Sequence, residues 1–239
     1  QIIGGAAGDA IAGGGGDAIL GDGGEITYAG GVLQRLESAG TEGAGDTIDA
    51  GDGDNWVIAG AGGDTVTGGG GADQVLGDHG RIVLDAAGRS ASLSVTAPAA
   101  GGDDLLVLGD GDNVAVAGAG ADRVVGGAGG DLLIGDAAEV TFTAGVLATA
   151  VSAASGVGAG DVILTGAGSD QAGTRSDQVI GGAGADRVNV EPDGTLAAAP
   201  GSQIILGDEG AFTYDSGRVA LVESRDGTPA GAGADGIDA

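Results

Sequence analysis

Aliphatic residues recur at a nine-residue interval in two long stretches of the chain. Residues 41–76 divide into four nonapeptides, and residues 99–134 divide into four more. The eighth position of these nonapeptides is small and apolar: Ile48, Val57, Val66, Val75, Leu106, Ala115, Val124 and Leu133. The first half of each nonapeptide is rich in Gly, which accepts the positive φ values that tight turns need. The pattern predicts a very short strand in each nonapeptide, with the eighth side chain pointing inward.

A second pattern follows each block of nonapeptides. The block ends in a tripeptide of the type Leu-Gly-Asp or Ile-Gly-Asp, and two alternating stretches around a small turn come next. The four segments are EITYAGGVLQRL, RIVLDAAGRSASL, EVTFTAGVLATAV and AFTYDSGRVALV. A period of two around Ala-Gly or Ser-Gly predicts a β-hairpin. Nonapeptides and hairpin together form a superrepeat of about 58 residues.

These patterns predict an all-β fold, a right-handed parallel β-solenoid (β-roll) with one β-hairpin excursion in each superrepeat. We expect one continuous solenoid over residues 1–239, with superrepeats 1–54, 55–112, 113–170 and 171–239. Both ends of the chain fall inside a superrepeat, so we expect it to be a fragment of a longer protein. No apolar stretch approaches the roughly 20 residues that a membrane-spanning helix needs.

The composition makes a conventional core difficult and favours cations as partners. The 239 residues include 57 Gly but only two Phe, two Tyr and one Trp, the side chains that usually dominate buried area. The formal net charge is −27, which repels nucleic acid and anionic lipid and attracts cations. The chain has no Cys, which excludes disulfides and thiolate metal sites.

Acidic or amide residues recur at the sixth position of the same nonapeptides. Two nonapeptides make one turn of the predicted solenoid, so alternate sixth positions should stack about 4.8 Å apart. The expected pairs are Asp46 with Asp64, Asn55 with Asp73, Asp104 with Asp122, and Asn113 with Asp131. Stacked carboxylates repel one another unless a cation lies between them. Ca²⁺ takes six to eight oxygen ligands from carboxylates and backbone carbonyls, and oxygen-only ligands disfavour transition metals.

The pattern therefore predicts multiple bound Ca²⁺, and about 13 of these ions would balance the net charge. The expected ligands are Asp9, Asp17, Asp46, Asp52, Asp54, Asn55, Asp64, Asp73, Asp104, Asp110, Asp112, Asn113, Asp122, Asp131, Asp161, Asp170, Asp177, Asp186 and Asp235. The Asp residues that end the nonapeptide blocks either bind an ion or cap the turn that enters the hairpin: Asp22, Asp78, Asp136 and Asp208. For any single Asp the simpler alternative is a plain turn former.

The nonapeptides GGAGGDLLI at 126–134 and GGAGADRVN at 181–189 follow the pattern G-G-x-G-x-D-x-U-x closely. This pattern resembles that of the RTX (repeats-in-toxin) family, whose nonapeptides form a calcium-loaded parallel β-roll. With one small inward residue in nine, ion binding decides whether such a chain folds, and we expect disorder without calcium.

The resemblance implies a calcium-dependent structural or adhesive segment of a large secreted or surface bacterial protein, of the matrix, adhesin, surface-layer or filament type. Such a segment would be extracellular or on the cell surface and would fold on binding Ca²⁺ outside the cell. The alternative is the C-terminal RTX carrier region of a type I-secreted toxin or hydrolase whose catalytic domain is not in this chain.

An enzyme is not expected in this chain. Its only His, His79, is predicted to be a solvated turn residue, and the chain has no Lys, no Cys and no G-x-S-x-G sequence. Ice binding would need a regular outward row of Thr or Asn at position seven, and no such row exists.

Apolar residues also occupy outward positions, among them Val107, Val116, Val125 and Ile134. Two interpretations are open for these stripes. The hairpins fold back and bury them, or they promote end-to-end or lateral self-association into a fibre or lattice.

Overall fold

The computed structural model describes residues 1–154, 156–166, 176–191, 193, 195, 202–225 and 236–237. Every regular element in these residues is a β-strand, so the all-β prediction is confirmed. None of these residues forms a helix that could cross a bilayer. The strands, numbered in chain order, assemble into three sheets of eight strands each.

Sheet 1 is parallel and takes one strand from every second nonapeptide. In spatial order its strands are β1 (Ile2–Ile3), β3 (Ala18–Leu20), β7 (Trp56–Ile58), β9 (Gln74–Leu76), β13 (Val114–Val116), β15 (Leu132–Ile134), β19 (Asp177–Ile180) and β21 (Gln203–Leu206). Most of these strands are three residues long, as the nonapeptide pattern predicts.

Sheet 2 is also parallel and takes its strands from the nonapeptides in between. Its strands are β2 (Ala10–Ala12), β6 (Thr47–Asp49), β8 (Thr65–Gly70), β12 (Leu105–Asp110), β14 (Arg123–Val125), β18 (Val162–Leu164), β20 (Arg187–Val188) and β24 (Gly236–Ile237). Because the chain alternates between two parallel sheets, the arrangement is consistent with a β-roll.

The inner core lies between sheets 1 and 2 and consists of the eighth-position residues. Side chains alternate across a strand, so the middle residue of each short strand points to the opposite sheet. The register aligns these residues within each sheet, with Val57 opposite Val75 in sheet 1 and Val66 opposite Leu106 in sheet 2. All eight predicted core positions are buried, as the nine-residue interval requires.

Sheet 3 is antiparallel and contains the four predicted hairpins. Its strands are β4 (Gly24–Ala29), β5 (Val32–Ser38), β10 (Gly80–Leu84), β11 (Ser90–Val95), β16 (Ala138–Thr143), β17 (Val146–Ser152), β22 (Gly210–Asp215) and β23 (Arg218–Ser224). Each hairpin also pairs with the next one along the chain, which the sequence pattern did not predict. The facing residues at these junctions are Leu36 and Ile82, Leu93 and Val140, and Ala150 and Phe212.

The hairpin sheet covers the outward face of sheet 1 and creates a second, outer core. Val116 and Ile134 are buried in this core with Ile82, Leu93 and other residues of the hairpins. At its edge the Trp56 indole Nε1 donates a hydrogen bond to Ser90 Oγ at 3.3 Å. The first interpretation of the outward stripes is therefore correct for sheet 1.

The outward face of sheet 2 lacks a hairpin cover, and the described residues cover it only in part: Leu164 is buried, and Arg123 pairs with Glu191 at 2.8 Å. Leu105, Val107 and Val125 on this face are only half-buried. The hairpins cannot reach it because the inner core and sheet 1 lie in between. One apolar stripe thus remains at the surface.

Candidate metal sites

The sixth-position residues before the sheet 2 strands form one continuous row, named here the first turn row. Its described members are Asp9, Asp46, Asp64, Asp104, Asp122, Asp161 and Asp186. In each step the backbone N–H of one residue donates to the Oδ1 atom of the next. The N···O distance is 2.6 Å from Asp46 to Asp64 and 2.8 Å from Asp64 to Asp104. An entire hairpin lies between Asp64 and Asp104 in the sequence. The contact between them therefore continues the row from one superrepeat to the next.

The corresponding residues of the sheet 1 nonapeptides form the second turn row; each precedes its strand except Asp177, which is the first residue of β19. Its described members are Asp17, Asn55, Asp73, Asn113, Asp131 and Asp177. The same ladder connects them, with N···O distances between 2.8 Å (Asp17 to Asn55) and 3.1 Å (Asp131 to Asp177). All four stacked pairs that the sequence predicted are confirmed as neighbours.

The second carboxylate oxygen sets the Asp residues apart as candidate ligands. Among the described residues, Oδ2 is buried and accepts no hydrogen bond in Asp46, Asp64, Asp73, Asp104, Asp122 and Asp161. Leaving such an oxygen without a partner is costly. Burial raises the pKa of Asp73 to about 6, that of Asp64 to about 7 and that of Asp104 to about 9. A cation beside these oxygens would remove the cost of keeping them ionised.

Glycine keeps space open next to these oxygens. A Cβ atom on Gly77 would lie 2.3 Å from Asp104 Oδ2 and 2.5 Å from the Ala117 carbonyl oxygen. Gly135 has the same relation to Asp161 Oδ2, at 2.1 Å, and to a backbone carbonyl oxygen. A carboxylate and a carbonyl oxygen therefore border the same small space, and this is the donor set that Ca²⁺ prefers.

The Asp residues that end the nonapeptide blocks lie beside the first turn row. Asp22, Asp78 and Asp136 are buried, and each Oδ2 accepts a hydrogen bond from a backbone amide in a neighbouring turn. The Ala61 amide donates to Asp22 at 2.6 Å. Each Oδ1 has no hydrogen-bond partner among the described residues. One oxygen thus holds a turn of a neighbouring coil and the other is available to an ion, whereas none of these bonds caps the turn that enters the hairpin. Asp208 has the same sequence position and is half-buried.

Side chains alone do not complete a metal site in the described part of the chain. No three His, Cys, Asp or Glu side chains come together there as a metal-binding group. The remaining ligands would have to be backbone carbonyls such as that of Ala117. Calcium accepts such ligands readily, whereas Zn²⁺ sites are built mainly from His and Cys side chains.

A model of the RTX calcium-binding nonapeptide repeat, which spans four copies, matches residues 41–78, 99–136 and 171–191. The chain contains RTX repeats. RTX nonapeptide repeats bind multiple Ca²⁺ ions, and the matched segments contain most of the described members of both turn rows. A comparison with curated proteins found no match.

The RTX turns give a direct test of the space beside the carboxylates. We expect Gly77→Ala to lower calcium affinity and to destabilise the calcium-loaded fold by about 1–3 kcal/mol, because the new methyl group would collide with Asp104 Oδ2. Gly23→Ala is the matched control, since a Cβ there has no neighbour within 4 Å. Urea unfolding at fixed calcium measures both, and equal midpoints would contradict the assignment.

The acidic residues of the two GDGDN turns lie outside the first and second turn rows. These residues, Asp52, Asp54, Asp110 and Asp112, are exposed. Asp54 Oδ1 and Asp112 Oδ1 accept hydrogen bonds at 2.9 Å from the amides of Ala72 and Gly130. Asp103, which the sequence analysis missed, accepts one from the Ala121 amide at 2.9 Å. Asp103 could have been predicted from its place at the fifth position of its nonapeptide, which Asp54 and Asp112 also occupy.

The prediction for His79 is wrong. Its side chain is 0% exposed, and neither ring nitrogen has a hydrogen-bond partner among the described residues. The His79 carbonyl accepts the Thr96 amide at 2.9 Å, which places the residue at the closed base of a hairpin rather than in a solvated turn. Burial raises the pKa of the Asp22 carboxyl, and the neighbouring His79 opposes that rise.

The ends of the rows complete the set of predicted ligands. Asp9 and Asp17 are half-buried where the rows begin, whereas Asp177 and Asp186 are buried near the other end. The predicted ligands Asp170 and Asp235 lie outside the described residues.

Proposed function

We propose that this chain is a calcium-dependent structural or adhesive segment of a large secreted or surface-attached bacterial protein. RTX repeats imply a calcium-binding region of a secreted protein. The observation that carries the more specific role is the continuity of the first turn row, which extends from Asp9 to Asp186 without interruption at the hairpins. Calcium ions bound along a continuous row would stiffen the solenoid over its length, whereas a single localised site would not.

The proposed calcium ligands are the Asp residues of both rows, the block-ending Asp22, Asp78 and Asp136, and carbonyls of the Gly-rich turns. Beyond the first members Asp9 and Asp17, Oδ1 of each described row Asp holds the stacking register by accepting a backbone amide, and Oδ2 faces the ion. The bound ions supply the positive charge that lets these carboxylates stay ionised while buried. Calcium is millimolar outside cells and scarce in the cytosol, so the chain would stay unfolded until export.

The proposal includes a right-handed solenoid, because parallel strands with crossover connections are almost always right-handed. It also includes the absence of catalysis in this chain. His79, the chain's single His, is enclosed and cannot reach a substrate from its position. The net charge of −27 argues against nucleic acid as a partner.

Self-association through the outward face of sheet 2 is the second element of the proposal. Val107 pairs with Val125, so half-buried apolar residues form a short strip across two adjacent strands, whereas Leu164, which pairs with Val125 on the next strand, is already buried. Leu105 lies on the same face next to this strip and is half-buried. Burying the strip against a second copy would remove apolar surface from water, and a repeated contact of this kind builds a fibre or lattice.

Multi-angle light scattering on the calcium-loaded chain tests this element. We expect a mass above that of the monomer that rises with protein concentration, and we expect Val125→Glu to lower it. Thr47→Glu, at an exposed position of the same face, is the matched control. A chain that is fully folded in calcium but monomeric at every concentration would refute self-association and favour the alternative, a carrier region of an exported toxin or hydrolase.

A further inference from the structure

Two places in the second turn row are occupied by asparagine instead of aspartate. Asn55 and Asn113 precede the first sheet 1 strand of their superrepeats, and they are 1% and 0% exposed. Each Oδ1 accepts a backbone amide, from Asp17 at 2.8 Å and from Asp73 at 2.9 Å. The asparagine Oδ1 therefore accepts the same kind of hydrogen bond that the aspartate Oδ1 accepts elsewhere in the row. The difference lies in the second polar atom of the side chain.

That second atom, the amide nitrogen, donates to carbonyl oxygens of its own turn. Asn55 Nδ2 donates to the carbonyls of Gly53 at 2.7 Å and Gly51 at 3.2 Å. Asn113 Nδ2 donates to those of Gly111 at 3.1 Å and Gly109 at 3.3 Å. The same pair of contacts recurs in two superrepeats, which makes it a property of the turn.

The aspartate turns of the same row lack this donor. In the turn that ends at Asp73 the equivalent carbonyls belong to Gly69 and Gly71, and a carboxylate has no N–H to offer them. Asp73 Oδ2 is buried and has no hydrogen-bond partner among the described residues. The Asp73 turn therefore presents only oxygen acceptors to its interior and needs a cation, whereas Asp17 Oδ2, at the start of the row, accepts the Gly14 amide at 3.0 Å. The asparagine turns are satisfied without one.

We propose that Asn55 and Asn113 each replace a calcium ion, with the amide nitrogen bonded to the carbonyl oxygens that an ion would otherwise bind. This inference rests on the proposed calcium-dependent function and refines it. It also revises the expectation that these two residues are calcium ligands. Along the second turn row, the two turns closed by an amide lie on either side of the ion-binding turn of Asp73.

The two rows consequently differ in calcium content. All described members of the first turn row are aspartate, and the buried Asp22, Asp78 and Asp136 add further carboxylates beside it. The second turn row loses an ion at each asparagine. The edge of the β-roll that carries the first row therefore binds more ions than the opposite edge.

Counting bound calcium in an asparagine-to-aspartate variant tests the inference. The double variant Asn55→Asp/Asn113→Asp and the unaltered chain are equilibrated with calcium, separated from free ion, and analysed by elemental mass spectrometry. We expect about two more ions per chain in the variant, one for each restored carboxylate, with unchanged β-structure. Asp215→Asn, at the exposed tip of the β22–β23 hairpin, is the control and should leave the count unchanged.

The reverse variant, Asp73→Asn/Asp131→Asn, provides the second arm, and it decides the matter if the first variant does not fold. We expect it to bind about two ions fewer than the unaltered chain. Unchanged counts in the folded variants would overturn the role of asparagine while leaving the proposed function intact. If the unaltered chain itself binds no calcium, the proposed function fails, and that outcome is recognisable before any variant is made.

Discussion

Removing calcium with EDTA is expected to abolish the β-structure of the whole chain. The buried Oδ2 atoms of Asp46, Asp64, Asp73, Asp104, Asp122 and Asp161 have no hydrogen-bond partner among the described residues, and the eighth-position core is thin. Each site that binds an ion only in the folded state adds about 2.7 kcal/mol of stability at a calcium concentration 100 times its Kd. Several such sites lie along one continuous row, so the sum of their binding free energies should determine whether the chain is folded.

Far-UV circular dichroism during a calcium titration measures this transition, with magnesium as the control ion. We expect cooperative gain of β-structure near millimolar calcium and little response to magnesium, which demands stricter octahedral geometry. Fluorescence of Trp56, the single Trp, reports separately on the docking of the hairpins, since its indole contacts Ser90 on β11. Full β-structure in EDTA would show that the Asp rows are ordinary turn formers.

Acidification is expected to restore structure to the calcium-free chain. Burial raises the pKa of Asp73 to about 6, that of Asp136 to about 8 and that of Asp104 to about 9, all above the ordinary value of 3.8. The folded chain therefore binds protons more tightly than the unfolded chain does. The resulting stability is fully present below about pH 4 and is lost as pH rises through the raised pKa values.

Circular dichroism in EDTA at pH 5 and at pH 8 tests this prediction while avoiding the sequence pI of about 4.1. We expect more β-structure at pH 5. With saturating calcium the order should reverse, because the ion requires ionised carboxylates and protons compete with it. Equal unfolding at both pH values without calcium would mean that the buried carboxylates do not limit folding.

The sequence by itself determined the elements and their inward faces. A nine-residue interval places Ile48, Val57 and their equivalents at the centre of very short strands, and only Gly-rich turns fit between such strands. These are local properties, because a strand side chain alternates with a period of two and a turn needs particular backbone angles. The stacking of Asp46 on Asp64 follows directly, since it depends only on two nonapeptides forming one turn. The hairpins were also predictable from their own alternation.

The tertiary structure alone decided how the superrepeats join. The pairing of Leu36 with Ile82 and the bond from Asp64 to Asp104 connect segments separated by a linker or an entire hairpin, and no local pattern specifies where such segments meet. The burial of His79 at a hairpin base has the same origin, because a short polar sequence does not reveal what packs over it. The distinct role of asparagine likewise depends on which carbonyls the folded turn directs at its amide. Aspartate and asparagine are interchangeable in the sequence pattern, but only one of them can donate a hydrogen bond.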